Sequence, residues 1–185
     1  MSTTIEREIK LRFPTAEEAR EAVLRVGATP LHGRRLQEDC LLDTADDLLR
    51  ERRCVLRVRI ESGKSYLTFK GPVQPSLLKV REELETIVGD GATLIHLLEH
   101  LGFRVWFRYE KYREEFALND VIVAVDETPV GTFIEIEGGD GSIADTADAL
   151  GRGPDDYLVD SYRRLYLCEC EARGVTPGDM VFEGR

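Results

Sequence analysis

Thr4-Ile5-Glu6-Arg7-Glu8-Ile9-Lys10-Leu11-Arg12-Phe13 reads as a strand with two unlike faces. Successive side chains on a strand point to opposite sides. Glu6, Glu8, Lys10 and Arg12 therefore share one face, while Ile5, Ile9, Leu11 and Phe13 take the other and Arg7 is the misfit. Alone, such a stretch is an amphipathic strand wetted on its polar side. Here the pattern returns: five later β-like segments carry charges two residues apart, and three segments in all carry a Glu-x-Glu pair. Strands with both signs of charge on one face and aliphatics on the other predict a barrel with a charged interior.

Outward from that strand, Thr15-Ala16-Glu17-Glu18 is a capping box opening a helix, with an apolar stripe of Ala19, Ala22, Val23 and Val26 and a stop at Gly27. A β-like segment follows from Arg34 to Asp43, then a turn at 44–47. Arg53 to Ile60 sets Leu56, Val58 and Ile60 against Arg57 and Arg59, and Glu61-Ser62-Gly63-Lys64 forms a hairpin loop into Tyr66–Lys70. Lys79 to Val88 places Arg81, Glu83 and Glu85 on one face. Further helices are predicted over Gly91–Leu101, Ser142–Leu150 and Ser161–Ala172. Between them, Arg104 to Leu118 reads as two alternating runs, and β-like segments follow at Val121–Asp126 and Thr132–Glu137. Roughly eight strands and four helices make an α+β arrangement on an antiparallel sheet. One domain is expected over residues 1–173, with a loosely ordered tail over 174–185.

At 185 residues with 42% hydrophobic side chains, the chain can bury one sizeable core. No apolar run approaches a membrane span and no signal-peptide core follows Met1, so the expected place is the cytoplasm, away from a membrane, with Cys40, Cys54, Cys168 and Cys170 as free thiols. A net charge of −10 argues against a broad nucleic-acid surface, yet leaves room for a small polyanion in a local basic pocket.

The acids on the charged faces are Glu6, Glu8, Glu83, Glu85, Glu135 and Glu137, with Asp126 near; the bases are Lys10, Arg57, Arg59, Lys70, Arg81, Arg108, Lys111 and Arg113. Burying isolated charges is costly, so such an interior must be paired, wet, or filled by a ligand and metal. Carboxylate clusters suit Mg²⁺ or Mn²⁺, and lysine with arginine suits phosphate oxygens. The set fits a metal-bridged triphosphate better than a sugar, a lipid or a hydride acceptor.

Glu6-Arg7-Glu8-Ile9-Lys10 resembles the ExExK opening of the CYTH superfamily, the triphosphate tunnel metalloenzymes. Leu56-Arg57-Val58-Arg59, Leu67 to Pro72, Arg81 to Glu85, Lys111-Tyr112-Arg113, Asp126 to Glu137 and Ser161-Tyr162 agree in order. The resemblance implies a closed eight-stranded antiparallel β-barrel, charged inside, with helices packed outside. It implies Mg²⁺ or Mn²⁺ on Glu6, Glu8, Glu135 and Glu137, with Asp126 as a further candidate, and phosphate contacts from Lys10, Arg57, Arg59, Lys70, Lys111 and Arg113. Of these, Lys10, Arg57, Arg59, Lys70 and Arg113 are the candidate catalytic groups. Arg81, Glu83, Glu85 and Arg108 join the candidate substrate contacts. The implied substrate is ATP, inorganic triphosphate or thiamine triphosphate, and a homodimer is compatible with the resemblance.

Two reactions fit such a tunnel. The stretch 107–113 and the turn at 126–129 look most like the class IV adenylyl cyclase-like subgroup, which converts ATP to cyclic AMP and pyrophosphate. The alternative is a triphosphatase, and a third reading is a non-catalytic polyphosphate or nucleotide sensor. On sequence grounds Lys10→Ala is expected to reduce turnover with little loss of stability, by relieving charge crowding.

Overall fold

The computed structural model describes residues 4–184; the first three residues of the expected domain and the last residue of the expected tail lie outside it. Eight antiparallel strands close into a barrel in the order β1-β5-β4-β3-β2-β6-β7-β8. They are β1 (Thr4–Phe13), β2 (Thr29–Thr44), β3 (Val55–Glu61), β4 (Lys64–Lys70), β5 (Lys79–Val88), β6 (Phe103–Leu118), β7 (Val121–Thr128) and β8 (Gly131–Glu137). Closure removes the sheet edges that would otherwise template pairing with other chains. The expected α+β fold with a closed eight-stranded antiparallel barrel is the one observed.

Five helices accompany the barrel: α1 (Ala16–Arg25), α2 (Leu48–Glu51), α3 (Gly91–His100), α4 (Asp140–Ala149) and α5 (Tyr162–Arg173). Four match the sequence reading; α2 is a single turn, too short for any helical period to show. α1 starts where the capping box predicted, the Thr15 hydroxyl accepting the Glu18 N–H at 3.1 Å. The β3–β4 hairpin turns through Ser62 (φ 48°) and Gly63 (φ 75°), the paired positive φ that a two-residue turn needs to match strand twist.

Core and site occupy opposite faces of the same strands. Ile9 and Leu11 of β1, Phe116 of β6, Val123 and Val125 of β7, and Ile134 and Ile136 of β8 point outward. They bury against Ala19 and Val23 of α1 and Ile143 and Ala147 of α4. Full burial of such aliphatic side chains stabilises by roughly 1.5–3 kcal/mol each. The inward faces are left to the charges.

Two stretches depart from the sequence reading. β2 and β6 are each 16 residues long, where a shorter segment and two separate runs were expected. Their mutual pairing is interrupted by register shifts, which break the alternation that a period-two reading depends on. The tail, expected to be loose, lies along β6. Met180 N–H donates to the Arg108 carbonyl and Glu110 N–H to the Met180 carbonyl, each at 2.9 Å, and the Met180 side chain is buried. Phe182 packs against Tyr112 at 5.2 Å between ring centroids. Its composition of Gly, Pro and mixed charge concealed two apolar anchors. Among the described residues no helix is long and apolar enough to cross a membrane.

Candidate active site

Directly opposed residues on antiparallel strands share a face, so pairing carries the charge pattern of β1 around the barrel. Glu6 opposes Arg81, Glu8 opposes both Lys79 and Glu137, and Lys10 opposes Glu135. Glu83 opposes Lys70, Thr68 opposes both Glu85 and Arg57, and Arg113 opposes Asp126. The cavity inside the barrel, about 750 Å³, is lined by Glu6, Glu8, Lys10, Arg57, Arg59, Lys70, Arg81, Glu83, Glu85, Lys111, Arg113, Glu135 and Glu137 among others. These are thirteen of the candidate residues named from sequence, brought together from six strands.

The interior charges bind one another. Lys10 Nζ reaches Glu8 at 2.6 Å and Glu135 at 3.2 Å. Lys70 Nζ lies 2.6 Å from Glu6 and 2.9 Å from Glu83, and Arg81 Nε donates to Glu6 at 2.8 Å. Arg113 bridges Asp126 and Glu135, each at 2.6 Å from Nη2. Asp39 accepts both Nε and Nη2 of Arg59, at 2.9 and 3.0 Å, with Arg57 Nε at 3.4 Å. Burial and Glu8 would raise the Glu6 carboxyl, but Lys70 and Arg81 outweigh them and hold it below its usual range.

Three groups are left poorly compensated. Burial, only partly offset by Glu8, lowers Lys79 to about 8, and Lys10 and Arg81 nearby push the same way. Burial and then Arg113 lower Lys111 to about 8 against the pull of Asp126. Glu137, at the exposed end of β8, is raised to about 7 by loss of hydration and then by Glu6, Glu135 and Glu8.

Two expected roles change. Arg108 is exposed, with its side chain toward Asp179 of the tail at 3.9 Å. Lys111 and Arg113 point inward, so an even-numbered neighbour on the same regular stretch of β6 must point outward, and Arg108 does not reach the cavity. Asp126 is fully buried and its two oxygens accept four hydrogen bonds: Arg113 Nε at 2.7 Å, Arg113 Nη2 at 2.6 Å, Lys111 Nζ at 2.9 Å and the Tyr162 hydroxyl at 2.6 Å. A carboxylate offers about four acceptor sites. Asp126 is thus saturated, and it suits positioning of Arg113 and Lys111 better than metal ligation.

The sequence reading passed over several wall residues. Lys79 lies 2.5 Å from Glu8 and continues the Arg81-Glu83-Glu85 alternation backward by two, a signal present in the sequence. Asp39 shares its face with Gln37 and Leu41, as alternation predicts. Tyr162 is different: it stood in the Ser161-Tyr162 match without a site role, and it enters from the start of α5, under Lys10 and Lys111, each 5.1 Å from its ring centroid.

For a divalent cation, Glu6, Glu8, Glu135 and Glu137 supply the hard oxygen donors that Mg²⁺ and Mn²⁺ take. They lie close enough that Glu6, Glu135 and Glu8 all raise Glu137, the mark of a carboxylate group short of positive charge. Among the described residues no three acidic, His or Cys side chains already converge as a metal site; three of these four glutamates rest on lysine or arginine. The donor set fits a hard cation provided those bases have another anion to take.

A family model described as the CYTH domain matches residues 4–155. A Methanocaldococcus jannaschii protein bearing a provisional adenylate cyclase name is 30% identical over 134 residues, 72% of this chain and 76% of its own. Among solved structures, a Pyrococcus horikoshii protein is similar at a TM-score of 0.74 and 29% identity, over 86% of this chain and 98% of its own. A Hippeastrum protein, provisionally called an adenylyl cyclase and described as having a dominant triphosphatase activity, shares the fold at a TM-score of 0.63 and 19% identity, over 95% and 98%.

Proposed function

The chain belongs to the CYTH family, and from that premise we propose that it is a divalent-metal-dependent enzyme acting on a triphosphate inside the tunnel. The preferred reaction is that of the class IV adenylyl cyclases, ATP to cyclic AMP and pyrophosphate. The observation that carries this reading is the closed interior wall on which acids and bases alternate and most pair with a neighbour. A metal–triphosphate salt presents the same two signs of charge and can exchange partners with that wall: phosphate oxygens take the bases and the cation takes the acids.

Lys10, Arg57, Arg59, Lys70, Arg81 and Arg113 are the groups we assign to phosphate oxygens, together with Lys111 and Lys79. Guanidinium forks fix the orientation of a phosphate as well as its charge. Arg113 and Arg59 are pre-aimed by bidentate bonds to Asp126 and Asp39 and need little reorganisation as charge develops at phosphorus. Mg²⁺ or Mn²⁺, held by Glu6, Glu8, Glu135 and Glu137, would neutralise phosphate charge and polarise the phosphorus centre. Glu83 and Glu85 orient Lys70 and Arg57, which they contact at 2.9 and 3.3 Å. In cyclisation the ribose 3′-oxygen attacks the α-phosphorus, loses its proton and displaces pyrophosphate, and holding the chain in line supplies the main advantage.

Hydrolysis at the terminal phosphorus is the second reading. The Hippeastrum neighbour is described as carrying both names on this fold, so the fold does not choose between them. Product analysis tests the choice, with Mg²⁺ or Mn²⁺ and ATP, inorganic triphosphate or thiamine triphosphate in separate incubations. Cyclic AMP with pyrophosphate supports the cyclase, and orthophosphate without cyclic AMP makes the protein a triphosphatase. Binding without turnover of any of them makes it a non-catalytic sensor.

A further inference from the structure

Most of the tunnel wall is charged, but at one rim the arginines Arg50, Arg53 and Arg163 stand beside apolar side chains. Leu41 lies near the end of β2, Val55 opens β3 and Trp106 lies near the start of β6, so antiparallel order brings all three to one end of the barrel, where they line the cavity. Trp106 falls at a break in the ladder: Leu41 pairs with Phe107 and Leu42 with Val105, leaving Trp106 without a partner on β2. An extra residue of this kind bends the strand and re-aims its side chain.

Two guanidiniums lie over the indole, Arg50 of α2 at 4.6 Å from the ring centroid and Arg163 of α5 at 4.7 Å, the latter also 5.7 Å from the Phe107 ring centroid. Arg50 is paired with Asp47, whereas among the described residues Arg163 has no ion pair although it is half-buried. The start of α5 fixes its place. Ser161 caps the helix by accepting the Arg164 N–H at 3.2 Å, Tyr162 reaches Asp126 inside the tunnel, and the next residue turns to the rim.

A half-buried guanidinium with no counter-ion, backed by an indole beside Leu41 and Val55, is a flat cationic surface next to an apolar floor. A further phosphate would meet the cation but leave that floor bare. A purine base stacks on the guanidinium plane and covers apolar surface at the same time. We propose that this rim binds the nucleobase of a nucleoside triphosphate, and that Trp106 and Arg163 set the preference for nucleoside over inorganic triphosphates. The inference rests on the triphosphate reading of the tunnel, and adds where the organic end of the substrate lies.

Trp106 is the only tryptophan of the chain, so its emission reports on the rim in the unaltered protein. ATP with Mg²⁺ and inorganic triphosphate with Mg²⁺ are titrated separately, exciting at the red edge where adenine does not absorb, while calorimetry measures binding of each independently. Both should bind, with ATP alone changing the indole emission. Arg163→Gln and Trp106→Leu should each shift the ratio of the ATP Kd to the triphosphate Kd by roughly tenfold against ATP. Equal emission changes with both ligands, triphosphate binding without ATP binding, or an unchanged Kd ratio in both variants overturns the rim assignment and leaves the tunnel reading standing. Calorimetry that detects neither ligand overturns the tunnel reading, and the rim assignment with it.

Discussion

Replacing Lys10 by methionine removes one charge from the tunnel while keeping an unbranched side chain of similar length, so the result reports charge more than cavity. Lys10 is almost fully buried and bonds Glu8 at 2.6 Å and Glu135 at 3.2 Å. Removing one partner of a buried ion pair costs roughly 3–5 kcal/mol, because the other charge stays desolvated. Here Glu8 keeps Lys79 at 2.5 Å and Glu135 keeps Arg113 at 2.6 Å, which places the cost near the lower end, about 3 kcal/mol. For a domain of this size each kcal/mol moves Tm by about 2–4 °C, so the metal-free variant should melt about 6–12 °C below the parent by circular dichroism. Burial lowers and Glu8 with Glu135 raise the Lys10 ammonium, and the net shift is upward. A raised lysine contributes stability that is fully present below its ordinary value and lost only at higher pH, so the gap should stay flat from about pH 5 to 7, below the pH at which Lys79, lowered to about 8 in part by Lys10, titrates. Activity should fall as well. Coincident melting curves for parent and variant would refute the claim that Lys10 neutralises two acids in the folded protein, and would restore the sequence-level expectation of relieved crowding.

Arg108→Gln should leave KM and kcat within about twofold, since surface changes away from buried networks have small effects; a large loss of kcat would return Arg108 to the site. Glu137 is raised, so its proton is retained in the folded protein up to about pH 7 and its charge costs stability as pH rises through that value. A divalent cation must displace that proton, so Mn²⁺ affinity by calorimetry should rise from about pH 6 to 8 and Glu137→Gln should flatten the rise; a pH-independent affinity in the parent rejects Glu137 as a ligand. Mn²⁺ and a non-hydrolysable triphosphate should each bind more tightly with the other present, by about 5–150-fold, because each frees the partners the other needs. Independent binding of the two would contradict the exchange of ion partners.

Alternation made much of this legible. Once Glu6, Glu8 and Lys10 define an inward face, strand pairing carries that face to Arg81, Glu83, Glu135 and Glu137, and period two alone finds them. Lys79 was equally legible, two residues before Arg81. Arg108 shows the limit: grouping a base with its neighbours by charge ignores parity, and on β6 parity decides. Trp106 lies at a register shift that depends on how β2 pairs with β6, information no single segment contains. Tyr162 and the anchors Met180 and Phe182 act through contacts with distant strands, where local pattern gives no direction.

The division of each strand into an aliphatic outside and a charged inside has a consequence for how this site could arise and change. Buried ion pairs contribute little net stability, because desolvation offsets most of their attraction. The fold is therefore held chiefly by the outer contacts of Ile9, Leu11, Val123, Val125, Ile134 and Ile136 with α1 and α4. The inner wall need only stay neutral as a whole. Paired substitutions that preserve neutrality, exchanging an acid and a base across one register pair such as Glu6 and Arg81, disturb the outer core little while redrawing where a phosphate or a cation can sit. A closed barrel of this construction separates what it must keep to fold from what it can vary to choose its chemistry. On the function proposed above, that separation would let one tunnel serve either cyclisation or hydrolysis.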